Sequence, residues 1–461
     1  MKEEIRSKLK RSMTPTRLIA LSFAVAILAG ALILMLPVSS ADGTWTAPID
    51  AFFTAATSIC VTGLVTVTTA YHWSIFGQFI ILILAQVGGL SVITVYMCIL
   101  AMAGKRLTLH DRMLIQETYN MDTMDGLTSM IRRIVKYTLA VESVGAVLYS
   151  IAFIPRYGVV SGIWKAIFNA VSAFCNAGLD ILGGDSLRSF VTNPLVNITT
   201  MLLIILGGLG FVVWWDVIKA FRTVHEAEEK RSVWKLLSLH SKFVLMLTGA
   251  LLCIGSVLFF IFEFNNPDTI GELGIGGKIL ASIFQSVTTR TAGFETVPQG
   301  SLTNASLLLC MVLMIIGGSP AGTAGGIKTT TVGILLVTVI SATKGKKDTE
   351  VLNRRIPLET VKTAVVLVMM AFSIVFTATM ILFVTEDMGF AETLFEVCSA
   401  MGTVGLSMGV TSSLSWVGKL VIMFVMYIGR TGPVTLVFAF ARKRAGSEFN
   451  RTLPEGRIMI S

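Results

Sequence analysis

The sequence predicts an all-α polytopic membrane protein. Four parallel helix–pore-helix–helix repeats, eight transmembrane helices in all, would surround a pseudo-fourfold central pore. Three observations predict this. Hydrophobic residues make up 54% of the 461 and charged residues only 14%, against about 25% in a soluble protein. Apolar runs of roughly 20 residues recur, the length that crosses a hydrocarbon core of about 30 Å. A short glycine motif also returns four times at near-constant spacing. The composition excludes a soluble enzyme, a disordered chain and a disulfide-stapled secreted domain. A β-barrel needs short alternating strands, and these runs are long and continuous.

Residues 1–17 read as a cytoplasmic N-terminus. The first run, Leu18 to Val38, is too long for a signal-peptide core and is followed by further spans, so it is a retained helix. Repeat 1 covers 18–103, repeat 2 137–220, repeat 3 242–343 and repeat 4 363–441, with a cytoplasmic C-terminus at 442–461. The first helices are expected over 18–38, 137–155, 242–263 and 363–385. The second are expected over 74–103, 195–220, 305–340 and 417–441. Between them lies a stretch of about twelve residues, too short to span and therefore re-entrant. An aromatic near its start, Phe53, Phe168, Phe284 or Phe395, marks each one.

These stretches end in CVTGL, CNAGL, RTAGF and GTVGL. The glycines Gly63, Gly178, Gly293 and Gly405 are 115, 115 and 112 residues apart. A second marker follows each: GGL at Gly88, GGLG at Gly207, GGSP at Gly317 and GRTG at Gly429. Two landmarks in the same order identify an internal repeat.

Charge placement sets the topology. Of 37 Lys and Arg, 29 fall in 1–17, 104–136, 219–242, 341–362 and 442–461. Basic loops stay cytoplasmic, so the net charge of +9 reflects topology and not a nucleic-acid partner. Loops inside each repeat are nearly free of Lys and Arg. Each repeat therefore begins and ends on the same side, and the four run parallel around an axis. Inverted-repeat transporters need units that flip. The six cysteines lie in or beside apolar segments without CxxC pairs, and read as packing residues.

Non-helical backbone at membrane depth must line a wet cavity or be buried in protein. Four turns around one axis would present rings of carbonyl oxygens, which can replace the hydration shell of a monovalent cation. The turns are Cys60, Val61, Thr62 and Gly63; Cys175, Asn176, Ala177 and Gly178; Thr291, Ala292 and Gly293; and Gly402, Thr403, Val404 and Gly405. Glycine supplies positive φ without a Cβ penalty. The short helices aim their partly negative C-terminal ends at the same centre.

Repeat 3 departs from its siblings after Gly317. Gly317, Gly318, Ser319, Pro320, Ala321, Gly322, Thr323, Ala324, Gly325 and Gly326 lead through Lys328 to Thr331. Clustered glycine and proline break a helix, so 317–331 is expected to be an intramembrane gating loop. Arg430 sits in the apolar run IMFVMYIGRTGPVTLVF, where Arg costs about 2.5–3.5 kcal/mol on insertion scales. It is expected to be a positive barrier below the turns. Arg290, three residues before Gly293, reads as a brace of its turn with Glu295 as partner. Glu142 is expected in an interhelical hydrogen bond, and Asp216 as an end-of-helix anchor. No nucleophile–base pair, phosphate loop or metal cluster is visible, so no enzyme is predicted.

The motifs VTGL, CNAGL, TRTAGF, GTVGL, GGIKTT and YIGRTGP resemble the Ktr/Trk/HKT superfamily of potassium transporters, most closely the Ktr membrane subunits, over nearly the whole chain. The resemblance implies one filter glycine per repeat for K⁺, an intramembrane gate in repeat 3, and an arginine, here Arg430, obstructing the cavity. It also implies homodimers, each subunit with its own pore, on a cytosolic ring of nucleotide-binding RCK subunits, with Na⁺ activating uptake. The chain itself shows no nucleotide site.

The function expected is K⁺ uptake across the cell membrane. Channel-like flux and coupled symport both fit the sequence. The alternatives are a rocking-bundle secondary transporter of another substrate and a non-transporting membrane scaffold.

Overall fold

The computed structural model describes residues 15–102, 127–226 and 232–432. Expectations that fall on residues 1–14, 103–126, 227–231 and 433–461 lie outside the described residues.

Four long apolar helices dominate: α1 (Pro15–Leu34), α5 (Leu127–Tyr157), α9 (Leu239–Glu263) and α13 (Leu358–Thr385). Each is long and apolar enough to cross a membrane, and only 22–28% of each apolar window is buried. Their remaining faces, with Leu28, Val147, Ile254 and Phe372 outward, suit lipid and not water. A short helix follows each one: α2 (Pro48–Cys60), α6 (Val159–Cys175), α10 (Ile275–Thr288) and α14 (Phe390–Gly402). Burial is reversed in these. Phe53, Phe168, Phe284 and Phe395 are all within 1% of complete burial. The short helices thus form the core and the long ones the jacket. Each short helix begins before its aromatic, so α6 has 17 residues, and the aromatics mark the inner part, not the start.

Apart from single turns at Thr69–His72 and Val233–Leu236, the remaining described α-helices are α3 (Ile75–Leu90), α4 (Val92–Met102), α7 (Pro194–Gly208), α8 (Phe211–Glu226), α11 (Asn304–Ile315), α12 (Thr329–Thr343) and α15 (Trp416–Thr431). Here the expected continuous second helices need correction. The pair α3–α4 bends by 96° and α7–α8 by 99°. Ser91, at φ 73°, and Gly210, at φ 89°, turn the chain at those bends. The third is broken between α11 and α12, and the fourth leaves the described residues at Gly432.

By length and composition the described chain has four crossing helices, or up to six if each bent pair is one span. It is a multi-pass membrane protein. One small departure from an all-α reading is a hairpin of β1 (Glu350–Val351) and β2 (Arg354–Arg355). Leu352 and Asn353, both at positive φ, make the tight turn that fits strand twist.

The second glycine markers have a packing reason. A Cβ on Gly88 would lie 2.1 Å from the Ile59 carbonyl oxygen, one on Gly207 2.0 Å from that of Phe174, and one on Gly429 2.3 Å from that of Met401. Each oxygen belongs to the last turn of the preceding short helix. Only glycine lets the second helix press backbone to backbone there.

Candidate pore and gate

Three short helices end on a left-handed cap, while α10 ends at Thr288 with a right-handed cap at Thr289 and reaches its left-handed residue at Thr291. The left-handed residues are Val61 (φ 54°), Asn176 (φ 58°), Thr291 (φ 63°) and Thr403 (φ 50°). Two residues later comes the motif glycine, with φ of 98°, 65°, 80° and 98° for Gly63, Gly178, Gly293 and Gly405. A left-handed cap is an ordinary way to end a helix. For β-branched Val61, Thr291 and Thr403 it costs roughly 1–2 kcal/mol each. Strain of this kind is kept where the surroundings dictate the backbone.

The four turns meet in a closed cycle. A Cβ on Gly63 would lie 2.7 Å from the Ala177 oxygen, and one on Gly178 2.7 Å from the Ala292 oxygen. One on Gly293 would lie 2.3 Å from the Val404 oxygen, and one on Gly405 2.2 Å from the Thr62 oxygen. The carbonyl before each glycine therefore faces the glycine of the preceding turn, and the fourth turn closes on the first. No side chain other than hydrogen fits.

Hydroxyls one turn back along each short helix hold this backbone. Gly63 N donates to Thr57 Oγ1 at 2.9 Å, Leu179 N to Ser172 Oγ at 3.1 Å, and Gly405 N to Ser399 Oγ at 3.0 Å. In the third turn Thr288 Oγ1 donates to the Phe294 carbonyl at 2.7 Å.

One side of the ring opens into a 430 Å³ cavity lined by all four glycines and by the loops carrying Asp180, Arg188, Glu295 and Ser407. Burial pushes the carboxyls of both Asp180 and Glu295 upward, opposed at Glu295 by the Arg188 guanidinium.

The other side is filled by the break after α11. Residues 316–328 are not helical, and helix resumes at Thr329. The expected loop 317–331 is therefore three residues too long at its end, because Thr329 to Thr331 form the first turn of α12. The segment is pinned rather than slack. Ser319 N donates to Gly208 O at 2.9 Å and Thr323 N to Gly207 O at 3.1 Å, both at the bend of α7. Gly326 N donates to Gly429 O at 3.3 Å in α15. Lys328 Nζ donates to Ala324 O at 2.7 Å inside the segment.

This segment also contacts the ring. Thr323 Oγ1 donates to Asn176 Oδ1 at 3.2 Å, and Asn176 Nδ2 donates to Thr291 Oγ1 at 3.3 Å. A Cβ on Gly325 would strike Thr403 Oγ1 at 2.1 Å. Arg430 bridges the segment to the bend of α3. Its Nη1 donates to the Thr323 carbonyl, and its Nη2 to the carbonyls of Gly88 and, at 3.1 Å, Gly89.

A ring of backbone oxygens, backed by four helix C-termini and closed to side chains, is chemistry for a bare cation. The family profile described as "TrkH: Cation transport protein" matches residues 4–451. The chain belongs to the TrkH cation transport family. It is 40% identical over 460 residues to the potassium/sodium uptake protein NtpJ of Enterococcus hirae, covering 99% of both chains. It is 40% identical over 448 residues to the Ktr system potassium uptake protein B of Bacillus subtilis, covering 96% of both. The solved potassium transporter TrkH of Vibrio parahaemolyticus shares the fold, with a TM-score of 0.72 and 16% identity. That alignment covers 92% of this chain and 84% of that one.

In this TrkH-family chain most residues singled out from the sequence come together around the ring, but one pairing does not. Glu295 does not meet Arg290. Its carboxylate accepts from Arg188 Nη2 at 2.7 Å, because the 183–190 loop folds over the turn. Arg290 is 92% buried, with its Nε facing no acceptor. Glu142 does join helices: Cys175 Sγ reaches its Oε1 at 3.9 Å and Gln86 Oε1 at 3.4 Å. Cys175 is thus a donor as well as a packing residue. Asp216 accepts from Ser238 N at 2.8 Å, anchoring α8 to the start of α9. Sequence reasoning missed the hydroxyl tethers Thr57, Ser172, Thr288 and Ser399. Their signal was a hydroxyl five or six residues before each glycine.

Proposed function

We propose that this chain is the membrane subunit of a K⁺ uptake system of the Ktr type. K⁺ passes through the ring of turns at Gly63, Gly178, Gly293 and Gly405. The observation that carries the reading is the closed cycle of carbonyls against glycines, which fixes oxygen positions without any side chain. Carbonyl cages select by replacing a hydration shell. The 430 Å³ cavity is then the outer vestibule, since the loops around it are poor in Lys and Arg, while the basic clusters and both termini face the cytoplasm. The four long helices, the two bent pairs, the broken pair α11–α12 and α15 count as eight spans in four parallel repeats.

The 316–328 segment is the gate and Arg430 its latch. The guanidinium ties the segment to α3, and its positive charge opposes cation flow while it stays there. Relatives named as potassium/sodium uptake and Ktr system potassium uptake proteins support K⁺ as cargo, and Na⁺ acts as activator in this reading. On the resemblance carried by the sequence motifs, the chain works as a homodimer on a cytosolic RCK-type nucleotide-binding ring, with the nucleotide on that partner.

Rb⁺ uptake into a potassium-uptake-deficient bacterium expressing the chain with an RCK-type subunit tests the reading. Uptake stimulated by Na⁺ is expected. No uptake with the partner present and the chain in the membrane would overturn it.

A further inference from the structure

The position two residues beyond each ring glycine is occupied by Val65, Asp180, Glu295 and Ser407. All four line the same 430 Å³ cavity. Because the turns follow one another around the cycle, Asp180 and Glu295 occupy adjacent quadrants, and the other two quadrants carry no charge. Ser407 is itself hydrogen-bonded to a carboxylate, donating to Glu396 Oε2 at 2.8 Å.

Among the residues lining the cavity the one cation is Arg188. It pairs with Glu295 at 2.7 Å, with Asp185 at 4.0 Å on its other side. Lys165 stands behind Asp180 and donates to the Ile181 carbonyl outside the cavity. The Arg188 loop does not depend on the ion pair alone. Leu187 N donates to Glu295 O at 2.9 Å, and Glu295 N donates to Ser186 Oγ at 3.3 Å. One backbone–backbone bond and one bond to the Ser186 hydroxyl therefore keep the loop seated whatever the charge at 188, so the guanidinium is free to serve electrostatics.

We infer that these positions form an outer charge ring, in which Asp180 and Glu295 concentrate hydrated monovalent cations above the carbonyl ring and Arg188 sets how negative that ring is. The inference rests on the pore reading above. Low-dielectric walls around one sign of charge focus the field and raise local counter-ion concentration, and acidic rings do this at the mouths of cation pathways. A 2.7 Å pair cancels most of one carboxylate's field. Arg188 is thus a positioning residue that touches no ion. Among the described residues no group of three or more His, Cys, Asp or Glu could hold a metal, which suits a station for hydrated ions over a chelating one.

The test is the Rb⁺ concentration dependence of uptake at low ionic strength and in excess N-methyl-glucamine chloride. Arg188→Gln should lower the half-saturating concentration about two- to five-fold at low ionic strength, with the maximal rate kept and the difference screened away by salt. Glu295→Gln should raise it, Arg188→Lys should resemble the native chain, and the double Gln variant should fall between the two singles. If Arg188→Gln and Arg188→Lys both reduce only the maximal rate, regardless of salt, Arg188 is a brace and the inference fails. If the half-saturating concentration stays native in Arg188→Gln and Glu295→Gln while uptake remains K⁺-selective, the charge ring fails and the pore reading stands. Loss of K⁺ over Na⁺ preference in the native chain would instead sink the pore reading.

Discussion

At the scale of single residues, strain and hydrogen bonding divide the work in each turn. The glycine removes a clash, and the left-handed residue two positions earlier aims the backbone at the cost of strain. Glycine spacing was legible in the sequence because hydrogen is the only side chain that fits. The second left-handed position was not legible, since Val61, Thr291 and Thr403 are residue types that avoid it. Only Asn176 is of a type that favours that conformation. The tethers show what holds the strain. Thr57→Ala removes the acceptor of Gly63 N, and a hydrogen bond of this kind contributes about 1 kcal/mol. K⁺/Na⁺ discrimination should drop roughly five-fold, while Thr57→Ser should keep it. Competition of Na⁺ with Rb⁺ uptake checks both; equal behaviour of the two variants would remove the tether from the account.

Among the elements, the segment proposed as the gate is the most informative. Five glycines and a proline announced a break after α11, and the break is there. What the sequence could not reveal was its anchoring, because Gly207, Gly208, Gly88 and Gly429 lie on three other helices. Those distant contacts also explain why the bends of α3–α4 and α7–α8 went unread. Paired glycines in an apolar run look like helix-packing positions, and here they are both packing positions and bends. Replacing Arg430 with Ala cuts the link between Thr323 and α3. Rb⁺ uptake should rise, measured per copy of protein in the membrane. Shortening the segment within 318–326 should raise it too. Reduced uptake in both variants at native abundance would contradict the gate.

For the whole molecule, the proposed topology rests on charge and repetition, and the inside-out burial on short helices enclosed by long ones. The long helices were legible because their windows are apolar throughout. Their neighbours around the ring were not, since the cyclic order depends on contacts more than a hundred residues apart in sequence. If the units are parallel, single cysteines placed in the loops at 42–46, 183–186, 266–272 and 409–413 should all react with an impermeant maleimide from outside. Reaction from opposite sides for alternate loops would indicate inverted units.

The central claim is that the four turns are one selective ring. It is tested by measuring K⁺/Na⁺ discrimination in Rb⁺ uptake for Gly63→Ser, Gly178→Ser, Gly293→Ser and Gly405→Ser, each made alone. All four should admit more Na⁺. Gly293→Ser and Gly405→Ser should do so most, because a Cβ there meets a carbonyl oxygen at only 2.3 and 2.2 Å. Native discrimination in any one variant that reaches the membrane normally would mean that its turn lies outside the ion path, and the account would fail.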